Sequence, residues 1–146
     1  MRNKIISLFI FMLLVGCQGK KEMTTVCKGN DEKSVTVNTI KHIEDRITSV
    51  SYQNTLQVDD SLIDYIAGYL SQYKTTLAHI EGLSYEYSIE GNTVVETTTI
   101  DYEIADMEQL ANEGFIAVSE SGNKAYVGYA ITVNQMKASG YECTEE

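Results

Sequence analysis

Three cysteines set the terms on which this chain can fold: Cys17 closes an apolar leader, Cys27 lies ten residues beyond it, and Cys143 stands close to the C-terminus. An odd number of thiols is awkward for an exported chain unless one of them is chemically occupied. Leu14-Val15-Gly16-Cys17 is the pattern at which a lipid-directed signal peptidase acts, with a small residue before the cysteine. If Cys17 carries a diacylglyceryl thioether, Cys27 and Cys143 remain as an even pair in an oxidising compartment that favours their bridging. Such a bridge ties one end of the folded chain to the other, and the chain-entropy model values so long a loop at roughly 4 to 5 kcal/mol. A zinc site built on the same two thiols would need further ligands, and His42 and His79 do not stand at zinc-site spacing from them.

The leader itself has the expected parts. Arg2 and Lys4 make it positive, and Ile5 to Val15 form its apolar run. At about 1.5 Å rise per residue that run falls well short of a hydrocarbon core of roughly 30 Å, so it reads as a leader and not as a membrane anchor. The expected organisation is a signal peptide over 1–16, a lipidated tether over 17–23, and a single α+β domain over 24–146. Two acyl chains on one residue suffice for stable attachment. The expected location is the outer face of a membrane, or the outer membrane of a two-membrane bacterium, for which Gln18 after the lipidated cysteine is permissive. An ordinary secretory signal with an incidental cysteine is the alternative.

Charge narrows the partners. From Cys17 onward the chain has nine basic and twenty-one acidic side chains, a formal −12. Phosphate backbones would repel it, which argues against a nucleic-acid partner. Lys20 and Lys21 are a local exception, placed where basic side chains settle a tether on an anionic surface.

Period-two alternation and turn residues predict the elements. Thr24 to Lys28 and Ser34 to His42 read as strands joined by a turn at Gly29-Asn30-Asp31. After a turn at Glu44-Asp45, Arg46 to Val58 places Val50, Tyr52, Leu56 and Val58 on one face and Ser49, Ser51, Gln53 and Gln57 on the other. A long helix follows, with Ser61 as its expected N-cap, Asp64 completing an acidic capping box, and Gly82 ending it. Tyr65, Tyr69 and Tyr73 stand four apart on it and are expected to pack in the core, an aromatic ligand box being the other reading. Tyr85, Tyr87 and Ile89 alternate with polar residues up to a Gly91-Asn92 turn, and Thr93 to Tyr102 returns as the partner strand. A short helix near Asp106 to Asn112, a loop over Ser119 to Lys124, a last helix over Tyr129 to Ser139 with Val133 and Met136 facing inward, and a strand at Cys143 complete the reading. The fold class is α+β: an antiparallel sheet of three N-terminal strands plus a hairpin, packed against one long helix and one or two short ones.

Several of these landmarks occur together: the lipobox, the cysteine just inside the domain, Tyr85-Glu86-Tyr87-Ser88-Ile89 with its hairpin, Thr99-Ile100-Asp101-Tyr102, and Gly140-Tyr141-Glu142-Cys143. In this combination the chain resembles the YehR-like bacterial lipoproteins, a family of small α+β domains with no assigned biochemical activity. The resemblance extends over the chain from Cys17 onward. It implies a fold and a location, and it supplies no catalytic signature.

Chemical motifs are few. There is no G-x-S-x-G, P-loop, G-x-G-x-x-G, H-E-x-x-H or EF-hand loop. His42 and His79 are the only histidines, neither beside a nucleophile motif, and both read as surface or half-buried residues. Asp101, Glu103, Asp106 and Glu108 gather at a strand-to-helix junction and are weak candidates for a hard cation. Residues complementing a helix dipole or facing solvent would look the same. No cofactor is expected. The leading expectation is a membrane-anchored, non-catalytic binding or interaction domain whose partner is an envelope protein or small ligand. Capture of a small ligand or hard cation by tyrosines and the 101 to 108 carboxylates is the alternative. A hydrolase acting on envelope polymers through paired carboxylates is a third reading.

Overall fold

In the computed structural model of this protein, residues 19–116, 119–121 and 124–146 are described. The leader and Cys17 lie outside them. β1 (Met23–Asn30), β2 (Ser34–Ile43) and β3 (Arg46–Gln57) form an antiparallel meander. A 3-10 turn (Asp60–Leu62) leads into α1 (Ile63–Leu77), which crosses to the hairpin of β4 (Leu83–Glu90) and β5 (Thr93–Asp101). Then come α2 (Met107–Asn112), the short pair β6 (Ser119–Ser121) and β7 (Lys124–Tyr126), α3 (Tyr129–Ala138) and β8 (Glu142–Glu145). Among the described residues, six strands make one sheet in the order β4-β5-β3-β2-β1-β8, every neighbouring pair antiparallel.

The register shows what the alternation achieves. Leu83, Ile100, Val50, Ile40 and Thr25 lie on one rung of the inner face, and Tyr85, Thr98, Tyr52, Asn38, Cys27 and Cys143 on the next. The opposite face of β3 carries Ser49, Ser51, Gln53 and Gln57, as the pattern required. Cys27 and Cys143 are direct cross-strand partners and are disulfide-bonded, their Cα atoms 3.9 Å apart across a sequence separation of 116. The bridge fastens the last strand to the first, with Cys27 fully buried beneath it.

Helix α1 packs on the sheet through Ile66, Leu70, Tyr73 and Leu77, whose three-four spacing draws one seam along the helix. Three expectations fail here. Ser61 does not cap the helix: the amide of Leu62 bonds the carbonyl of Asp59 at 2.8 Å and closes a 3-10 turn, so α1 starts at Ile63, one residue later, with Leu62 at the N-cap and no side-chain cap. Tyr65 and Tyr69 are not core residues. They lie off the seam and are 76% and 57% exposed. Only Tyr73 turns inward, stacked on Tyr69 and meeting Tyr85 edge-on with ring centres 5.0 Å apart. Nor does Gly82 end the helix: α1 stops at Leu77 with Ala78 as its C-cap, and Gly82, at a φ of +76° that L side chains rarely adopt, lies in the turn just before β4. A further difference is that the segment expected as a loop over 119–124 holds strand residues at both ends, paired as β6 and β7.

Helix α3 is held down at both ends. Ile47 donates to the carbonyl of Val127 at 3.0 Å and Tyr129 donates to that of Asp45 at 2.7 Å, while the Asp45 carboxylate accepts the amide of Ala130 at 2.8 Å. A carboxylate from the β2–β3 turn thus takes the N-cap role that Gly128 cannot fill. At the other end Tyr141 donates to Met136 O and Gly140 to Lys137 O, the paired bonds of a Schellman motif, with Gly140 at φ +90°.

Candidate functional site

The inner face is not wholly apolar. Between the core under α1 and the disulfide, its central rungs carry Asn38, Asn54, Thr36, Thr98 and Glu96. Over this polar strip lies a cleft of about 470 Å³. Its floor is Thr36 and Asn38 of β2 with Tyr52 of β3; one wall is the α3 face of Ile131, Thr132, Gln135, Met136 and Ser139. Tyr102, Phe115, Ile116, Val127 and Gly128 form the opposite side, and Tyr141 closes one end. A smaller cavity of about 190 Å³ continues past Thr36, Ser139 and Tyr141 toward Asn30 and Asp31.

Each wall has a local cause. Between Lys41 and His42 the β2–β3 register shifts, and Thr48 becomes the extra residue of a bulge. Its carbonyl, released from the ladder, accepts the amide of Tyr102 at 2.9 Å and anchors that residue at the cleft. The Thr48 hydroxyl donates to Glu22 at 2.8 Å. Tyr129 at the start of α3 stacks on His42 with ring centres 3.6 Å apart and meets Thr25 Oγ1 at 2.8 Å, which fixes the near end of the helical wall. At the far end Tyr141 lies over Gly29. A Cβ at that glycine would sit 2.7 Å from Tyr141 Cε1, so the missing side chain makes the seat for this ring.

Asn38 is the unusual group of the floor. It is 3% exposed, its Nδ2 reaches only the sulfur of Met136 at 3.9 Å, and no donor among the described residues reaches its Oδ1. Buried amides are ordinarily paired, and one that is not marks a place of interest. Tyr52 and Tyr102 face one another, and burial raises both phenols above their ordinary range, Tyr102 further through its neighbour Tyr52. Both therefore stay neutral at physiological pH. Among the described residues that line it, none is Asp, Glu, Lys, Arg or His.

The residues singled out in the sequence fall elsewhere. Asp101 Oδ1 accepts the amide of Glu103 at 2.9 Å, and Asp106 is the N-cap of α2, accepting from Glu108 and Gln109 at 2.9 and 3.1 Å. Glu103 faces Arg46 at 3.3 Å in an exposed pair, and Glu108 lies in the first turn of α2. Among the described residues no three His, Cys, Asp or Glu side chains come together as a metal-sized group. His42 departs from expectation: it is buried, its Nδ1 donating to the carbonyl of Glu44 at 2.7 Å. His79 is exposed, with Nδ1 at 2.6 Å from Thr76 O. Cys17 lies outside the described residues. Of the residues that line the cleft, Tyr102 and Tyr141 stand in two of the landmarks that carry the family resemblance, without having been read as site residues, and an asparagine at an inward position of a Val- and Ile-rich strand was a further readable signal.

No protein-family model matches the chain, and no curated protein is similar to it. Among solved structures it is similar to the NMR structure of the E. coli YehR protein, with a TM-score of 0.67 and 22% identity over 86% of this chain and 93% of that one. It is also similar to the NMR structure of a protein from Streptococcus pneumoniae TIGR4, with a TM-score of 0.50 and 18% identity over 100% of this chain and 96% of that one. At such identities the likeness is one of fold, and the fold is YehR-like.

Proposed function

We propose that this protein is a non-catalytic binding lipoprotein, held at the outer face of a membrane by lipid on Cys17, and that it receives a small ligand in the cleft between α3 and the sheet. The cleft itself, about 470 Å³ between α3 and the sheet, carries this reading. A concave site with an apolar and aromatic lining and a few convergent polar groups is the usual form of a small-molecule site. The lipobox and the family resemblance support the location, and the Cys27–Cys143 disulfide is in keeping with an oxidising compartment. The placement of the two histidines, one stacked and bonded to a backbone carbonyl and the other solvent-facing, supports the non-catalytic part.

Two measurements test the reading. Mass spectrometry of the protein isolated from membranes should find Cys17 as an acylated first residue; an unacylated N-terminus removes the anchor. A set of neutral small molecules titrated into the isotopically labelled protein should shift the resonances of Asn38, Gln135 and Tyr141. Ligands that map consistently to another surface, or none at all, would sink the cleft as the binding site.

A further inference from the structure

We propose that Tyr69, Tyr73 and Tyr85 together with Glu96 form a second site, on the α1 side of the sheet and separate from the cleft, that takes a quaternary ammonium group. Glu96 stands on the inner face of β5, opposite Asn54 of β3 and Tyr87 of β4. The rungs on either side of it carry Tyr85, Thr98 and Tyr52, and Ile89, Val94 and Leu56. None of these is a cation, and no ion pair among the described residues involves Glu96. A carboxylate on the packed face of a sheet is ordinarily paired, so this one is open to a cation from outside. Its Oε1 accepts the Tyr85 hydroxyl, while Oε2 has no hydrogen bond among the described residues. The enclosed side-chain atoms without a partner are Asn38 Oδ1 and His42 Nε2, so Glu96 Oε2 is within reach of a ligand.

The helix brings the rings to this carboxylate. Lys74 bonds Glu86 on the outer face of β4, so that flank of α1 overhangs the sheet edge. Tyr69 is on the other flank of the seam and leans back over β5. Its ring is nearly parallel to that of Tyr73, 8° between planes and 6.0 Å between centres, and Tyr73 meets Tyr85 edge-on at 5.0 Å. Burial raises the phenols of Tyr73 and Tyr85 above their ordinary range; Tyr69 and then the Glu96 charge add to this at Tyr73, and the Glu96 bond and charge add to it at Tyr85. Both therefore stay neutral beside the carboxylate. The chemistry selects the guest. A hard cation takes about six to eight oxygen ligands, and among the described residues no three His, Cys, Asp or Glu side chains come together. A primary ammonium is strongly hydrated and needs an acceptor for each of its N–H groups. A quaternary ammonium has no N–H to satisfy, lays its methyl groups against ring faces, and is drawn by their quadrupoles as well as by Oε2. More than half exposed, Tyr69 has a face free to receive it.

The test uses three probes on the labelled protein: choline, ethanolamine as a primary ammonium of the same charge, and neohexyl alcohol, in which carbon replaces the nitrogen of choline. Choline should shift the resonances of Tyr69, Tyr73 and Glu96 and bind at least about threefold more tightly than either of the others. Tyr69→Leu, a change at an exposed helix position, should weaken choline about three- to tenfold. Glu96→Gln, which can still accept the Tyr85 hydroxyl, should weaken it about tenfold or more. Glu90→Gln, an equal loss of charge at the tip of the hairpin, should leave it unchanged. Ethanolamine binding as tightly would overturn the quaternary group, and neohexyl alcohol binding as tightly would overturn the role of charge. Choline affinity unmoved in Glu96→Gln overturns the proposal, as does choline that shifts no resonance or maps elsewhere. None of the four residues lines the cleft, so such a failure leaves the reading of the cleft as it stands.

Discussion

Asn38→Leu should make this protein more stable. Leucine is close to asparagine in shape. The native Oδ1 is buried without a donor among the described residues, a condition that costs about 1 to 3 kcal/mol. The only bond lost is the 3.9 Å contact of Nδ2 with the Met136 sulfur, which contributes little. The net expectation is a gain of about 1 to 3 kcal/mol, which for a chain of this size raises Tm by about 4 to 12 °C. Asn38→Asp should act in the opposite sense, since it places a second acceptor and a charge where no donor is found. Calorimetry and urea unfolding of the three proteins measure the signs. A fall of about 1 kcal/mol or more in Asn38→Leu, or an Asn38→Asp protein as stable as the native one, would show that Oδ1 is already satisfied.

Four further outcomes are expected from the packing. Replacing both Cys27 and Cys143 by serine should cost about 2 to 5 kcal/mol, seen as a lower urea midpoint, with amide exchange increasing first in β8. Asp45→Ala removes the carboxylate that caps α3 from another element and should cost about 1 kcal/mol, with faster exchange at Ala130; an unchanged midpoint would refute the capping role. Gly82→Ala forces a Cβ to within 2.8 Å of the Ala105 backbone at a φ of +76°, so it should cost at least about 1 to 3 kcal/mol by thermal unfolding. Tyr52 and Tyr102 have phenol pKa values raised by burial, so the folded state holds protons that the unfolded state releases near pH 10. Their stabilisation is complete below that pH and is lost as pH rises through the folded values. The double change to phenylalanine should flatten the alkaline decline in stability, and an identical decline would refute the assignment.

Most of the strands were legible because alternation and turn chemistry are local properties. Val50, Tyr52 and Leu56 against Ser49, Ser51 and Gln53 gave the inner and outer faces of β3, and Gly91-Asn92 gave the hairpin. The α1 seam was harder. Tyr65 and Tyr69 are apolar enough to belong to a core face, yet the helix settles on the sheet along 66, 70, 73 and 77, and only the packed partner selects that seam. The helix start was misplaced for a similar reason, a backbone turn at Asp59 having replaced the Ser61 cap.

By itself, the sequence determined the strands of the main sheet, the presence of the helices and the solvent face of β3, since each depends on neighbours a few residues apart. Tertiary structure alone decided the strand order, the direct opposition of Cys27 and Cys143, and the cleft. Its walls come from Asn38, Tyr52, Tyr102, Phe115, Met136 and Tyr141, residues far apart in the chain that meet only because a bulge frees the Thr48 carbonyl, Asp45 pins α3, and Gly29 leaves room for a ring. Long-range contacts of that kind leave no periodic trace, and the cleft is made of them.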